Sequence, residues 1–192
     1  MKGALRRILP SLLLVLIVAM ALACGGGGGG GGGGPTEPTP QPTPTPTPPG
    51  FVFTAQGTPG ANTLFLANGA ATTANTLVLE LRASQVTDLY GVAFDLTYPN
   101  AQLQFVRVTP GPLLANGAAQ AALSGANTLI VGGSRLGNVA GANGSGVVLT
   151  MEFTALAAGT GSFAYARNSA LDSDGDTVAG VAWLAGSVQV NR

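Results

Sequence analysis

The chain has 192 residues, equal numbers of acidic and basic side chains, no histidine and one cysteine. Intrachain disulfides, His- or Cys-based catalysis and the usual zinc sites are therefore excluded, unless Cys24 itself takes part. Lys2, Arg6 and Arg7 lie in a segment expected to be removed. From Cys24 onward there remain five arginines, no lysine and eight carboxylates, a net charge of −3. Scattered cations of that number form no basic patch, so nucleic acid is not an expected partner.

Residues 1–23 read as an export signal. The three cations precede an apolar run, Leu9–Leu22, interrupted only by Pro10 and Ser11. The run is short of the ~20 residues a spanning helix needs. It ends in Ala21-Leu22-Ala23-Cys24, which resembles the bacterial lipobox: a small residue stands immediately before the only cysteine. Leucine usually stands three places before that cysteine; here the place is Ala21, with Leu22 beside it. The resemblance implies that Cys24 is lipidated and becomes the first residue of a bacterial lipoprotein. The chain would then be lipid-anchored to a membrane of the cell envelope, with its domain extracytoplasmic.

Residues 24–50 form the lipidated Cys and a tether. Gly25–Gly34 is ten glycines, a flexible coil of roughly 17 Å end to end. No phosphate-loop Lys-Ser/Thr follows it. Pro35–Pro49 alternates largely Pro with Thr around Glu37 and Gln41, a polyproline II spacer reaching roughly 45 Å. A spacer role suffices for this composition; the threonines also suit an O-glycosylated stalk.

Residues 51–192 are long enough to hold a core without disulfides or metal. In chain order, period-two alternation predicts strands at Thr63–Ala67, Leu77–Arg82, Tyr90–Tyr98, Leu103–Val108, Thr128–Gly132, Val147–Thr154, Ser162–Ala166 and Ser187–Val190. Ala115–Leu123 reads either as one helical turn or as a weak strand. The alternation turns Val92, Phe94 and Leu96 inward, with Leu149, Met151 and Phe153. It turns Ala93, Asp95 and Thr97 outward. The predicted class is all-β, an antiparallel jelly-roll β-sandwich of about nine strands.

The order of these pieces resembles a cohesin domain. Leu89–Tyr98 is an apolar strand ending in Tyr, followed by Leu103 and then Val108-Thr109-Pro110-Gly111. Val147–Thr154 precedes an expected Gly-rich turn at Gly159-Thr160-Gly161, then Ser162–Ala166, the turn Asp172–Asp176, and Gly186–Val190. The resemblance covers about residues 62–191. It implies a nine-stranded jelly roll and non-catalytic binding, to dockerin modules in polysaccharide-degrading assemblies. Carbohydrate-binding modules are structural relatives of the family. The chain departs from the pattern just before Phe94, where outward polar residues are common and Gly91 and Ala93 stand instead. Pro99-Asn100 also replaces the usual Asp-Pro after the Tyr.

Candidate chemistry is sparse. Asp172-Ser173-Asp174-Gly175-Asp176 places three carboxylates at alternate positions, like the start of a calcium loop. The sixth and twelfth places hold Thr177 and Trp183 rather than Gly and Glu, so a solvated turn is the expected role. Glu80, Asp95 and Glu152 are mid-strand acids, but nothing sets two of them across a cleft for glycoside hydrolysis; solvated strand positions are expected. Counting back from Val188 and Val190 turns Trp183 outward, where a ring stacks on sugars; a bulge or a later strand start reverses that count, and a core or edge-covering role is the expected one. Asn143-Gly144-Ser145 reads as a loop.

These readings combine into a non-catalytic envelope lipoprotein displaying a cohesin-like module for a dockerin-type protein or polysaccharide. Ala93, Asp95, Thr97 and Trp183 are its expected ligand-binding residues. No metal, cofactor or catalytic residue is expected. The alternative is a structural envelope lipoprotein without a dedicated ligand.

Overall fold

The computed structural model describes residues 50–192, so the signal, Cys24 and residues 25–49 of the tether lie outside the described residues. The strands are β1 (Gly50–Ala55), β2 (Thr63–Asn68), β3 (Thr76–Leu89), β4 (Gly91–Thr97), β5 (Leu103–Pro110), β6 (Ala118–Ser124), β7 (Thr128–Ser134), β8 (Ala142–Ala155), β9 (Gly159–Leu171), β10 (Ala182–Leu184) and β11 (Gly186–Asn191). They form a six-stranded sheet in the order β1-β11-β9-β4-β7-β6 and a five-stranded sheet in the order β10-β2-β3-β8-β5. All pairings are antiparallel except β10 with β2.

The described residues form eleven strands where about nine were expected. Ala115–Leu123 resolves into the strand β6 after a 3-10 turn at Pro112–Leu114. The two further strands carry no period-two signal. In β1, Phe51-Val52-Phe53 is a continuous apolar run, and β10 has only three residues. Partners elsewhere in the chain make both of them strands: β1 pairs with β11, and β10 with β2.

The inward side chains of the two sheets interleave as alternation demands. Leu77, Leu79 and Leu81 of β3 and Leu149, Met151 and Phe153 of β8 meet Val92, Phe94 and Leu96 of β4 in one core. The Phe153 ring lies 5.5 Å from Tyr98, 5.7 Å from Phe105 and 5.9 Å from Phe163, drawing both sheets together. Tyr90, expected to continue the inward register of β4, precedes the strand; it is half-buried and donates its hydroxyl to the Gly137 carbonyl at 2.6 Å.

Three local expectations are corrected. Asn143-Gly144-Ser145 is part of β8, not a loop. It faces the far half of β3, which continues beyond Arg82 through register shifts with left-handed φ at Gln85 and Asp88. Those shifts take amides out of the ladder. Ser145 Oγ accepts from Gln85 N at 2.9 Å, and Asn143 Oδ1 accepts from Asp88 N at 3.0 Å. Gly159–Gly161 opens β9 instead of turning, because its backbone pairs with Val188–Val190. In the Thr109-Pro110-Gly111 motif the glycine is required by a close approach: a Cβ there would run into the Val147 carbonyl.

The third correction concerns Trp183. Alternation counted back from β11 fails because residues 182–184 belong to the other sheet, and the chain crosses between sheets at Ala185. Gln56 pins that crossing, its amide donating to Ala185 O at 3.0 Å and its side chain accepting from Ala185 N at 3.3 Å. Trp183 therefore packs against the core, 5.6 Å from Phe94 and 5.1 Å from Tyr165 between ring centroids. The Tyr165 hydroxyl beneath it is buried with no hydrogen-bond partner among the described residues, and burial pushes its ionisation upward.

Candidate docking face

With Val92, Phe94 and Leu96 in the core, Ala93, Asp95 and Thr97 fall on the outer side of β4, in the middle of the six-stranded sheet. Apart from Ile130, the flanking groups are small or short. Thr97 stands between Thr128 and Ala164, Asp95 between Ile130 and Ala166, and Ala93 between Gly132 and Ser169. One strand further out, Ala122 lies opposite Ile130. Ile130, 46 % exposed, is the large apolar side chain at the centre. The result is a low, smooth surface. Ala93, Asp95 and Thr97 are brought together on it; Trp183 is not, since it sits on the other sheet.

Asp95 is the exception to the expected solvation. It is only 8 % exposed. Arg167 of β9 lies against it: Nε donates to Oδ2 at 2.6 Å, and a terminal guanidinium nitrogen donates to the same oxygen. The guanidinium side chain itself remains 74 % exposed, so the carboxylate is covered by a cation that keeps its own water. Arg167 reaches this position because β9 carries a bulge between the residues opposite Ala93 and Asp95, with φ near +47° at Arg167. Nothing in the local sequence marks that bulge. The one available signal is a single Arg between Ala166 and Asn168 in an otherwise uncharged strand.

The other mid-strand acids are also paired. Glu80 Oε2 accepts from Arg82 at 2.6 Å, and Glu152 Oε2 accepts from Arg107 Nε at 2.9 Å. These two acids lie on strands of the five-stranded sheet, with Glu80 opposite Thr150 and Glu152 opposite Val78. Asp95 is on the other sheet, so the three acids do not converge. Pairing with arginine, not full solvation, is what holds each of them.

The Asp172–Asp176 segment is a closed turn. Asp172 N donates to Asp176 O at 2.9 Å, and Asp172 Oδ1 accepts from the amides of Asp174 at 3.1 Å and Asp176 at 2.8 Å. The lead carboxylate is thus occupied by its own turn, and no three His, Cys, Asp or Glu side chains among the described residues are grouped to hold a metal ion. Asp88, which had no role in the sequence pattern, joins this turn to the sheet. Its Oδ2 accepts from Ser173 Oγ at 2.8 Å and its Oδ1 from Gly141 N at 2.7 Å. The Ser173 hydroxyl, and after it the Gly141 amide, hold the Asp88 carboxyl below the ordinary carboxylate range.

The family model of the cohesin domain matches residues 67–190. This chain belongs to the cohesin family. Cohesin domains are non-catalytic binding modules, and the sandwich described above is their jelly roll. A type II cohesin domain from the cellulosome of Acetivibrio cellulolyticus superposes with a TM-score of 0.54 at 16 % identity, over 66 % of this chain and 92 % of its own. Type II cohesin A11 from Bacteroides cellulosolvens gives 0.55 at 12 % identity, over 68 % and 98 %. A type II cohesin from an Acetivibrio cellulolyticus cohesin–X-dockerin complex gives 0.52 at 14 % identity, over 63 % and 92 %. At such identities the likeness is one of fold. No curated protein matches the chain.

Proposed function

We propose that this cohesin domain docks a dockerin-type protein module on the outer face of its six-stranded sheet and catalyses no reaction itself. The observation that carries the reading is the family match over residues 67–190 combined with the smooth face around Asp95 and Ile130. A surface mostly of Ala, Thr and Gly, from which Ile130 and Arg167 stand out, admits a partner helix closely along its length. A cohesin of the same fold was solved in complex with an X-dockerin. The face lacks the Trp, Tyr and Arg anchors that dominate tight interfaces, apart from Arg167. Dockerin binding is accordingly weaker here than in the strongest pairs of the family, and it depends on Asp95.

The reading extends to the part of the chain outside the described residues. Cys24 carries the lipid, and residues 25–49 hold the domain clear of a bacterial membrane. Cys24→Ser then leaves the chain unprocessed or releases it from the membrane fraction; equal membrane retention of both forms, with the mature N-terminus elsewhere, would remove the lipoprotein claim. The polysaccharide reading loses its main support, since Trp183 is packed against Phe94 and Tyr165.

The test of docking is capture of dockerin modules from the source proteome by the wild type, Asp95→Arg and Trp183→Ala chains. Loss with Asp95→Arg alone supports the face. Loss with Trp183→Ala alone, in a chain that still folds, counts against the face, because Trp183 lies on the other sheet. Capture of no dockerin by the wild type leaves the structural-lipoprotein alternative.

A further inference from the structure

At one end of the docking face lies an open groove of about 770 Å³. From the sheet it is lined by Gly91 of β4 and Gly132 of β7, where no side chain rises. From the loops it is lined by Val139, 43 % exposed, and by the turn residues Asp172 and Asp174. It is continuous with the docking face, because Gly132 is the register partner of Ala93.

The charge distribution is uneven in a way that bears on this groove. Glu80, Asp95 and Glu152 are each neutralised by an arginine. The other carboxylates of the domain, Asp88, Asp172, Asp174 and Asp176, make no ion pair among the described residues. All four lie in or against the turn that lines the groove. Arg135, next to the lining residue Ser134 and without a carboxylate partner among the described residues, offsets one of these four charges, so this end keeps a net negative charge. The lining is also held in place before any ligand arrives. Asp88 accepts from Ser173 on the acidic turn and from Gly141 at the end of the loop carrying Val139, while Tyr90 anchors the same loop through Gly137 O. A Cβ at Gly141 would collide with the Asp88 backbone, so this junction has no slack.

The geometry points to a groove that takes a Lys or Arg side chain of the docked dockerin-type partner, with Asp172 and Asp174 facing the cationic head and Val139 and the glycine floor facing its aliphatic stem. This rests on the docking function proposed above. A long basic side chain matches the lining on both counts: its methylenes need an apolar strip without bulk, and its head needs carboxylates not already neutralised. Asp88 acts as a positioning residue for both loop segments and does not touch the ligand.

The test uses the full chain and two dye-labelled, alanine-based helical peptides, one with paired arginines and one with glutamines in their place, read by fluorescence anisotropy. The arginine peptide should bind about fivefold more tightly at low ionic strength, as expected for two exposed charge pairs, and the advantage should shrink with added salt. Asp172→Asn/Asp174→Asn should abolish the difference, since asparagine keeps the Oδ1 acceptor that closes the turn and removes only charge. Glu80→Gln/Glu152→Gln, which removes the same number of charges from the other sheet, should leave it in place. Any dockerin captured by the wild type should lose about fivefold in affinity with the same double substitution. Equal binding of the two peptides, or a dockerin indifferent to the double substitution, overturns the groove assignment while leaving docking on the face intact. Discrimination between the peptides without capture of any dockerin supports the cation site and defeats the dockerin reading instead.

Discussion

Removing Arg167 should destabilise the domain more than removing the acid it covers. Asp95 keeps only 8 % of its surface in water, whereas the Arg167 side chain keeps 74 %. Arg167→Ala leaves a largely buried carboxylate with neither of its guanidinium hydrogen bonds. Loss of a partner by a buried polar or charged group costs about 1–3 kcal/mol. The outer face is open, water relaxes into the space left by the guanidinium, and the cost should fall near the lower end, about 1–2 kcal/mol. Asp95→Ala removes the buried charge and leaves an arginine that is already hydrated, so it should stay within about 0.5 kcal/mol of the wild type. The double substitution should cost no more than Asp95→Ala, giving a coupling of about 1 kcal/mol in a double-mutant cycle. Urea unfolding followed by Trp183 fluorescence reads this directly, because the only tryptophan is packed between the sheets. Equal costs for the two single substitutions, or no cost for Arg167→Ala, would show that Asp95 is hydrated and that the ion pair carries nothing.

Phe94→Ala should cost about 3–5 kcal/mol in the same assay, because it empties a core site that touches both Tyr165 and Trp183; an unchanged midpoint would contradict the register of β4. Tyr165→Phe should do the opposite and stabilise by about 1 kcal/mol, since the lost hydroxyl is buried without a protein partner; destabilisation would mean that this hydroxyl is satisfied in solution. Asp88 has a folded-state pKa below its unfolded value, so the unfolded chain takes up its proton first as the pH falls. Its contribution is present above the ordinary carboxylate range and disappears as the pH drops through its depressed folded value. Thermal midpoints measured from pH 6 down to pH 2 should therefore show a shallower acid limb for Asp88→Asn than for the wild type. Parallel curves would remove the Ser173 and Gly141 hydrogen bonds from consideration.

The fold was legible from residue order because half-buried strands write their burial into period two. Leu77–Leu81, Val92–Leu96 and Leu149–Phe153 alternate so regularly that strand positions, inward faces and the sandwich class follow from local pattern alone; the alternation breaks at Val148, which is buried in place of Val147 across a register shift with β3. The outward placement of Ala93, Asp95 and Thr97 follows by the same rule. The ordered turns and the Thr109-Pro110-Gly111 motif made the family recognisable, and Gly111 is there because two backbones approach too closely for any side chain. What alternation cannot express is which sheet a strand joins, or a bulge imposed by a distant partner. Alternation alone turns Trp183 the wrong way because β10 and β11 belong to different sheets although only Ala185 separates them. Asn143 and Ser145 were missed as strand residues because their side chains serve amides displaced in β3, more than 50 positions earlier. The cover over Asp95 and the groove held by Asp88 depend on pairs separated by 72, 85 and 53 residues. Such contacts are selected by chain topology and packing, which bring together segments whose own sequences carry no record of one another.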